Sequence, residues 1–117
     1  MVKIKVPKDV SYGCFTYKVY LDPTQDESGF GGSTLFDKEE IRINPTIPNS
    51  RKLTAFIHEN THLINKAHNL DLSEHETELL ANGFAELLAR NLGIELDWSD
   101  VPTLKLVVEE KESKSGN

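Results

Sequence analysis

The chain has a single cysteine, Cys14, so no disulfide can form within it. It has no surplus of positive charge: 13 Lys and Arg stand against 19 Asp and Glu, for a net charge of -6. That balance argues against a nucleic-acid or anionic-membrane surface, because phosphate contacts need an excess of cations. There is no apolar run long enough to cross a bilayer, and Met1-Val-Lys-Ile-Lys-Val lacks the apolar core of a secretory signal, so a cytoplasmic location is expected. Internal repeats are absent. Gly29, Gly31 and Gly32 are not followed by Gly-Lys-Ser/Thr and no helix begins there, which excludes a phosphate loop and leaves a turn.

What is present is an ordinary globular composition, 38% hydrophobic and 27% charged over 117 residues. This suits one domain with one modest core, placed at residues 1–108, followed by a charged tail at 109–117. The first half reads as β structure. Residues 2–6 alternate Val and Ile with Lys, residues 13–21 are rich in β-branched and aromatic types, and Ser33–Phe36 forms a further short strand. Ile41–Asn44 alternates again and Pro45 ends it. The second half reads as α structure. A helix over 51–67, capped by Asn49 or Ser50, carries an apolar arc of Leu53, Phe56, Ile57, Leu63, Ile64 and Ala67. Ser73 and Glu76 make a capping box that opens a second helix over 74–92, with Leu80, Ala81, Phe84, Ala85, Leu87, Leu88 and Leu92 as its buried arc and Gly93 beyond its end. The expected fold is α+β: a small antiparallel meander of three or four strands, then two packed helices. Trp98 should anchor the last stretch, and Leu104–Val108 reads as either a strand or a short helix.

The chemistry concentrates in His58-Glu59-Asn60-Thr61-His62. Histidines four apart on a helix project one turn apart from one face, so their nitrogens can hold one metal ion. On the helical wheel both lie off the apolar arc, a position that packing does not explain. Glu59 sits about 100° round from His58, outside the ligand pair but able to take a proton from a water at the metal. Asn60 falls in the middle of the apolar arc and must find hydrogen-bond partners there.

A zinc site needs a third protein ligand. Glu78 stands at the margin of the second helix's apolar arc beside Ala81 and Ala85, with room to approach a metal. Glu74, on the same side of the helix as Glu78, and Glu76 are candidates too, although the helix N-terminus already accounts for the first and the capping box for the second. His68 is a further candidate, because His58-Glu-x-x-His62 followed by His68 fits the longer metzincin pattern, with Asn65 at its glycine position. That pattern also needs a downstream methionine, and the only one here is Met1.

The arrangement of a strand like Ile41–Asn44, a helix carrying HENTH and a second helix with Glu78-Leu-Leu-Ala-Asn82-Gly-Phe84-Ala resembles the small, phage-associated ImmA/IrrE-type metallopeptidases, and is similar to minigluzincins in size and order. The resemblance covers most of residues 13–92. It implies a gluzincin-like fold, zinc on His58, His62 and Glu78, Glu59 as general base, and hydrolysis of a peptide. Asn60 departs from it, since that position is usually aliphatic. No tyrosine or histidine is matched to the oxyanion-stabilising role, for which His68 and His75 are the candidates. The expected substrate is a protein or peptide lying extended along Ile41–Asn44 as an added edge strand. The alternative is a non-catalytic or latent zinc-binding regulatory module of the same fold, its cleft closed by Leu104–Val108.

Overall fold

The computed structural model describes residues 2–24 and 31–104. In chain order they form β1 (Val2–Lys5), β2 (Asp9–Tyr12), β3 (Phe15–Leu21), β4 (Gly32–Leu35), β5 (Glu40–Ile43), α1 (Asn49–His68), α2 (Glu74–Ala85), a π-helical turn (Glu86–Asn91) and β6 (Ile94–Asp97). Strands followed by two helices give the α+β class expected from the sequence. Lys105–Val108 and the tail from Glu109 lie outside the described residues, as do Gln25–Gly29 of the expected turn.

Four strands form one sheet in the order β2-β3-β5-β4. Its outer pairs, β2 with β3 and β4 with β5, are antiparallel, as a meander requires. The central pair, β3 with β5, is parallel, because the chain passes over to the far edge and lays down β4 before returning inward. Two consequences differ from the sequence reading. Residues 9–12, unassigned there, are a strand joined to β3 by the two-residue turn Gly13-Cys14, with Gly13 at φ 61°, a left-handed angle that costs glycine little. And Ile41–Ile43 lies inside the sheet, with hydrogen-bonded neighbours on both sides, so it has no free edge to offer a peptide. Among the described residues, the edge strand on that side is β4.

Side chains two apart on a strand share a face, and here Tyr17 and Val19 join Ile41 and Ile43 on the buried one. With Val6, Leu63, Trp98 and Val101 they make the core. Each fully buried aliphatic side chain contributes about 1.5–3 kcal/mol. Trp98 anchors its stretch as expected, buried and edge-on to Phe56 with ring centroids 5.5 Å apart. Leading up to it, β6 pairs in parallel with β1 in a second, two-stranded sheet. The following segment bridges Thr103 to Leu21 at the end of β3.

Helix α1 begins earlier than expected. Pro48 is its N-cap and supplies no side-chain bond; the Pro48 carbonyl instead accepts from the amides of Arg51 and Lys52 at 2.9 and 3.0 Å. Asn49 lies one residue inside that cap, and its Nδ2 donates to the Leu96 carbonyl at 3.0 Å, which ties the helix start to β6. The helix ends at Asn69 in a left-handed conformation, a common stop. In α2 the capping box is formed in both directions, Ser73 with Glu76.

The buried arc of α2 is the largest departure. Only Thr77, Ala81 and Ala85 are buried, while Leu80, Phe84, Leu87 and Leu92 are exposed, Phe84 by half. Small residues spaced four apart let α2 lie close against α1. Their larger neighbours then project past the contact, because the small sheet is already covered by α1 and nothing else among the described residues overlies them.

Candidate metal centre

Helix α1 runs alongside β4, and α2 approaches from the other side, leaving a cleft of about 780 Å³ between them. Gly31 and Gly32 set how closely β4 lies. A Cβ on Gly31 would come within 2.9 Å of the Ala55 Cβ, and one on Gly32 within 2.9 Å of the Arg42 carbonyl oxygen and 2.8 Å of the Ile43 Cδ1. Gly31 and Gly32 are therefore there for close approach.

His58 and His62 stand in this cleft, half-buried, as the helical wheel requires. Their Nε2 atoms are 3.1 Å apart. Glu74, in the first turn of α2, brings one carboxylate oxygen to 2.8 Å from the His58 Nε2 and the other to 3.2 Å from the His62 Nε2. One ligand atom from each of the three residues falls within 4.8 Å of every other, so this group could hold a metal ion. The pairwise contacts can be tested against a tetrahedral ion: ligands about 2.0–2.1 Å from the metal would lie about 3.3 Å from one another. The 3.1 Å between the two imidazole nitrogens is close to that spacing, and Glu74 meets each ring with a different carboxylate oxygen.

The other candidates are placed differently. Glu78, the ligand favoured from sequence, is exposed, one turn beyond Glu74, and lines the cleft without joining the group, whereas Glu74, a lesser candidate there, does join it. Glu76 is held by Ser73, with the Ser73 amide donating to its Oε1 at 2.8 Å. His68 is exposed and does not line the cleft. The physical reason is that α1 does not break at Asn65: six residues beyond His62 on an unbroken helix is 240° round its surface. Asn65 instead clamps the loop, its Oδ1 accepting from the Leu72 amide at 3.0 Å. His75 is also exposed and outside the cleft. Neither histidine proposed for the oxyanion role is in a position to fill it.

Glu59 is buried and lines the same cleft. Burial pushes its carboxyl above the ordinary glutamate range, and the Glu74 charge adds to that; the Thr34 hydroxyl and the two imidazoles oppose it without cancelling it. Thr34 donates to the Glu59 Oε1 at 2.7 Å. This residue was missed in the sequence because an edge-strand threonine carries no signal beyond β propensity.

Asn60 finds its partners on the opposite side of α1. Its Oδ1 accepts from the Tyr12 hydroxyl at 2.7 Å and its Nδ2 donates to the Phe56 carbonyl at 2.8 Å. The amide burial foreseen from the wheel is thus offset, and the departure from an aliphatic residue leaves the histidine face undisturbed.

No family model, curated protein or solved structure matches this chain. Among the described residues no helix is long and apolar enough to cross a membrane.

Proposed function

We propose that the protein is a zinc-dependent metallopeptidase of the HExxH type. The observation that carries this reading is the meeting of His58, His62 and Glu74 at one point, beside a buried glutamate that lines the same cleft. Two imidazoles and a carboxylate suit zinc, and three protein ligands leave a position open for chemistry. When bound, zinc supplies a Lewis acid that polarises a peptide carbonyl and brings the pKa of water toward neutrality.

The chain's own residues account for the rest. Glu59 takes a proton from the attacking water and passes it to the leaving amine as the C–N bond breaks. Its place at the cleft, with one oxygen held by the Thr34 hydroxyl, suits that task. The free edge of β4 runs beside the histidines and gives an extended peptide main-chain partners, in the place that the sequence had assigned to Ile41–Asn44. For the third ligand, the donor geometry supports Glu74 and the ImmA/IrrE-like resemblance supports Glu78.

Metal analysis of protein purified without added zinc tests the first half of the reading, with about one equivalent expected and none in His58→Ala. Glu74→Gln and Glu78→Gln assign the third ligand, because only the true ligand's loss weakens retention. Digestion of a peptide library tests the second half. Zinc binding with no cleavage by the wild type would replace the peptidase by the zinc-binding regulatory module.

A further inference from the structure

We infer that Thr34 is the residue that orients the Glu59 carboxylate, fixing Oε1 so that Oε2 is presented to the cleft. The inference deepens the peptidase reading and rests on it for its activity arm.

Three observations bear on it. First, Gly32 and Thr34 are two apart on β4 and so point to the same side, which is the side of Glu59. A Cβ on Gly32 would lie 3.6 Å from the Glu59 Cγ, while the Thr34 hydroxyl reaches the Glu59 Oε1 at 2.7 Å. The strand thus leaves room for the stem of the glutamate with one residue and grips its head with the next on that face. Second, the grip is directional. Among the described residues the Glu59 carboxylate makes this one hydrogen bond, through Oε1, which leaves Oε2 without a protein partner in a residue that lines the cleft. A general base needs this division: one oxygen held, the other free to receive a proton. Third, Thr34 is itself held. It pairs with Ile41, a fully buried member of the core, so the hydroxyl is mounted on a strand anchored away from the cleft. A hydrogen bond to a charged group in such a site contributes to pre-organisation as well as to stability.

Thr34 touches neither the reacting atoms nor the metal ligands, and its role is positional. Thr34→Val removes the hydroxyl at nearly constant shape, and Thr34→Ser restores it. In metal-free protein at constant pH, the Glu59 carboxyl ¹³Cδ resonance is expected to move in Thr34→Val and to return in Thr34→Ser; an unmoved resonance overturns the inference whether or not the protein is an enzyme. In zinc-loaded protein, Thr34→Val is expected to lower kcat by about ten- to a hundredfold with KM and zinc content unchanged, less than the ~10²–10⁴-fold expected for loss of the base itself. Thr34→Ser should recover most of it. Adding Thr34→Val to Glu59→Gln should cost nothing further, because both act through one carboxylate. Full kcat in Thr34→Val, in a protein that Glu59→Gln inactivates, overturns the positioning role alone. Equal rates in wild type and Glu59→Gln overturn the peptidase reading, and the resonance then decides the contact by itself.

Discussion

The two flanks of α1 are built from one helix and behave in opposite ways. On one flank His58, Glu59 and His62 face Glu74 and β4 across a cleft of about 780 Å³. On the other, Ile57, Asn60 and Ile64 face Tyr12 of β2 and Leu80 and Phe84 of α2 across an apolar groove of about 600 Å³. The polar groups of the groove are spent on each other: Tyr12 bonds Asn60, and Asn60 bonds the backbone of its own helix. In the cleft the polar groups converge on a shared point, which ordinary packing would not produce. The difference teaches that a polar residue on a helix is read by its partners: Asn60 and Glu59 are both buried, yet one closes a fold and the other opens onto a site.

The comparison can be broken most severely on the cleft side. His62→Ala should abolish zinc retention, read by metal analysis, and with it any peptidase activity, while the circular dichroism of the fold persists. Glu59→Gln should keep the metal and lower kcat by ~10²–10⁴-fold, the usual weight of a general base. If that variant also loses the metal, the separation of ligand from base is wrong. On the groove side, Tyr12→Phe should leave metal content and kcat alone and lower stability in denaturant by about 1–3 kcal/mol, since the Asn60 Oδ1 loses its donor in a buried place. An effect on zinc affinity would show that the two flanks are coupled.

The smallest effect belongs to a control outside both regions. Burial alone would raise the pKa of Asp22, but the hydroxyl and amide of Thr24 and the Arg42 guanidinium outweigh it and hold the carboxyl below the ordinary range. A lowered folded-state pKa means stability that is fully present above the unfolded value, near 3.9, and lost as pH falls through the folded one. Asp22→Asn should therefore flatten the acid limb of a stability–pH curve below about pH 4 and leave metal binding at neutral pH unchanged.

How far the sequence carried can be judged residue by residue. The α+β class, the two helices, the capping box of Ser73 and Glu76 and the placing of His58 and His62 away from the core were legible, because each follows from spacing within a single element. The edge strand and the meeting of Glu74 with the two histidines were not. Which strand is outermost depends on where the chain goes between β3 and β5, and residues that pair across a sheet leave no mark on each other's local sequence. Glu74 and Glu78 both occupy the cleft side of α2, and the choice between them turns on the register of α2 against α1, set by the contact of Thr77, Ala81 and Ala85. The same contact explains why an apolar periodicity overstated burial: it identifies the face a helix could bury, not whether anything covers it.

By itself, then, the sequence determined that two imidazoles and a glutamate share one stretch of helix, because 3.6 residues per turn converts spacing into direction. Only the tertiary structure decided what stands opposite them. Glu74 arrives on a second helix, and Thr34 arrives on a strand made adjacent by two glycines; neither placement is encoded within the five residues they complete.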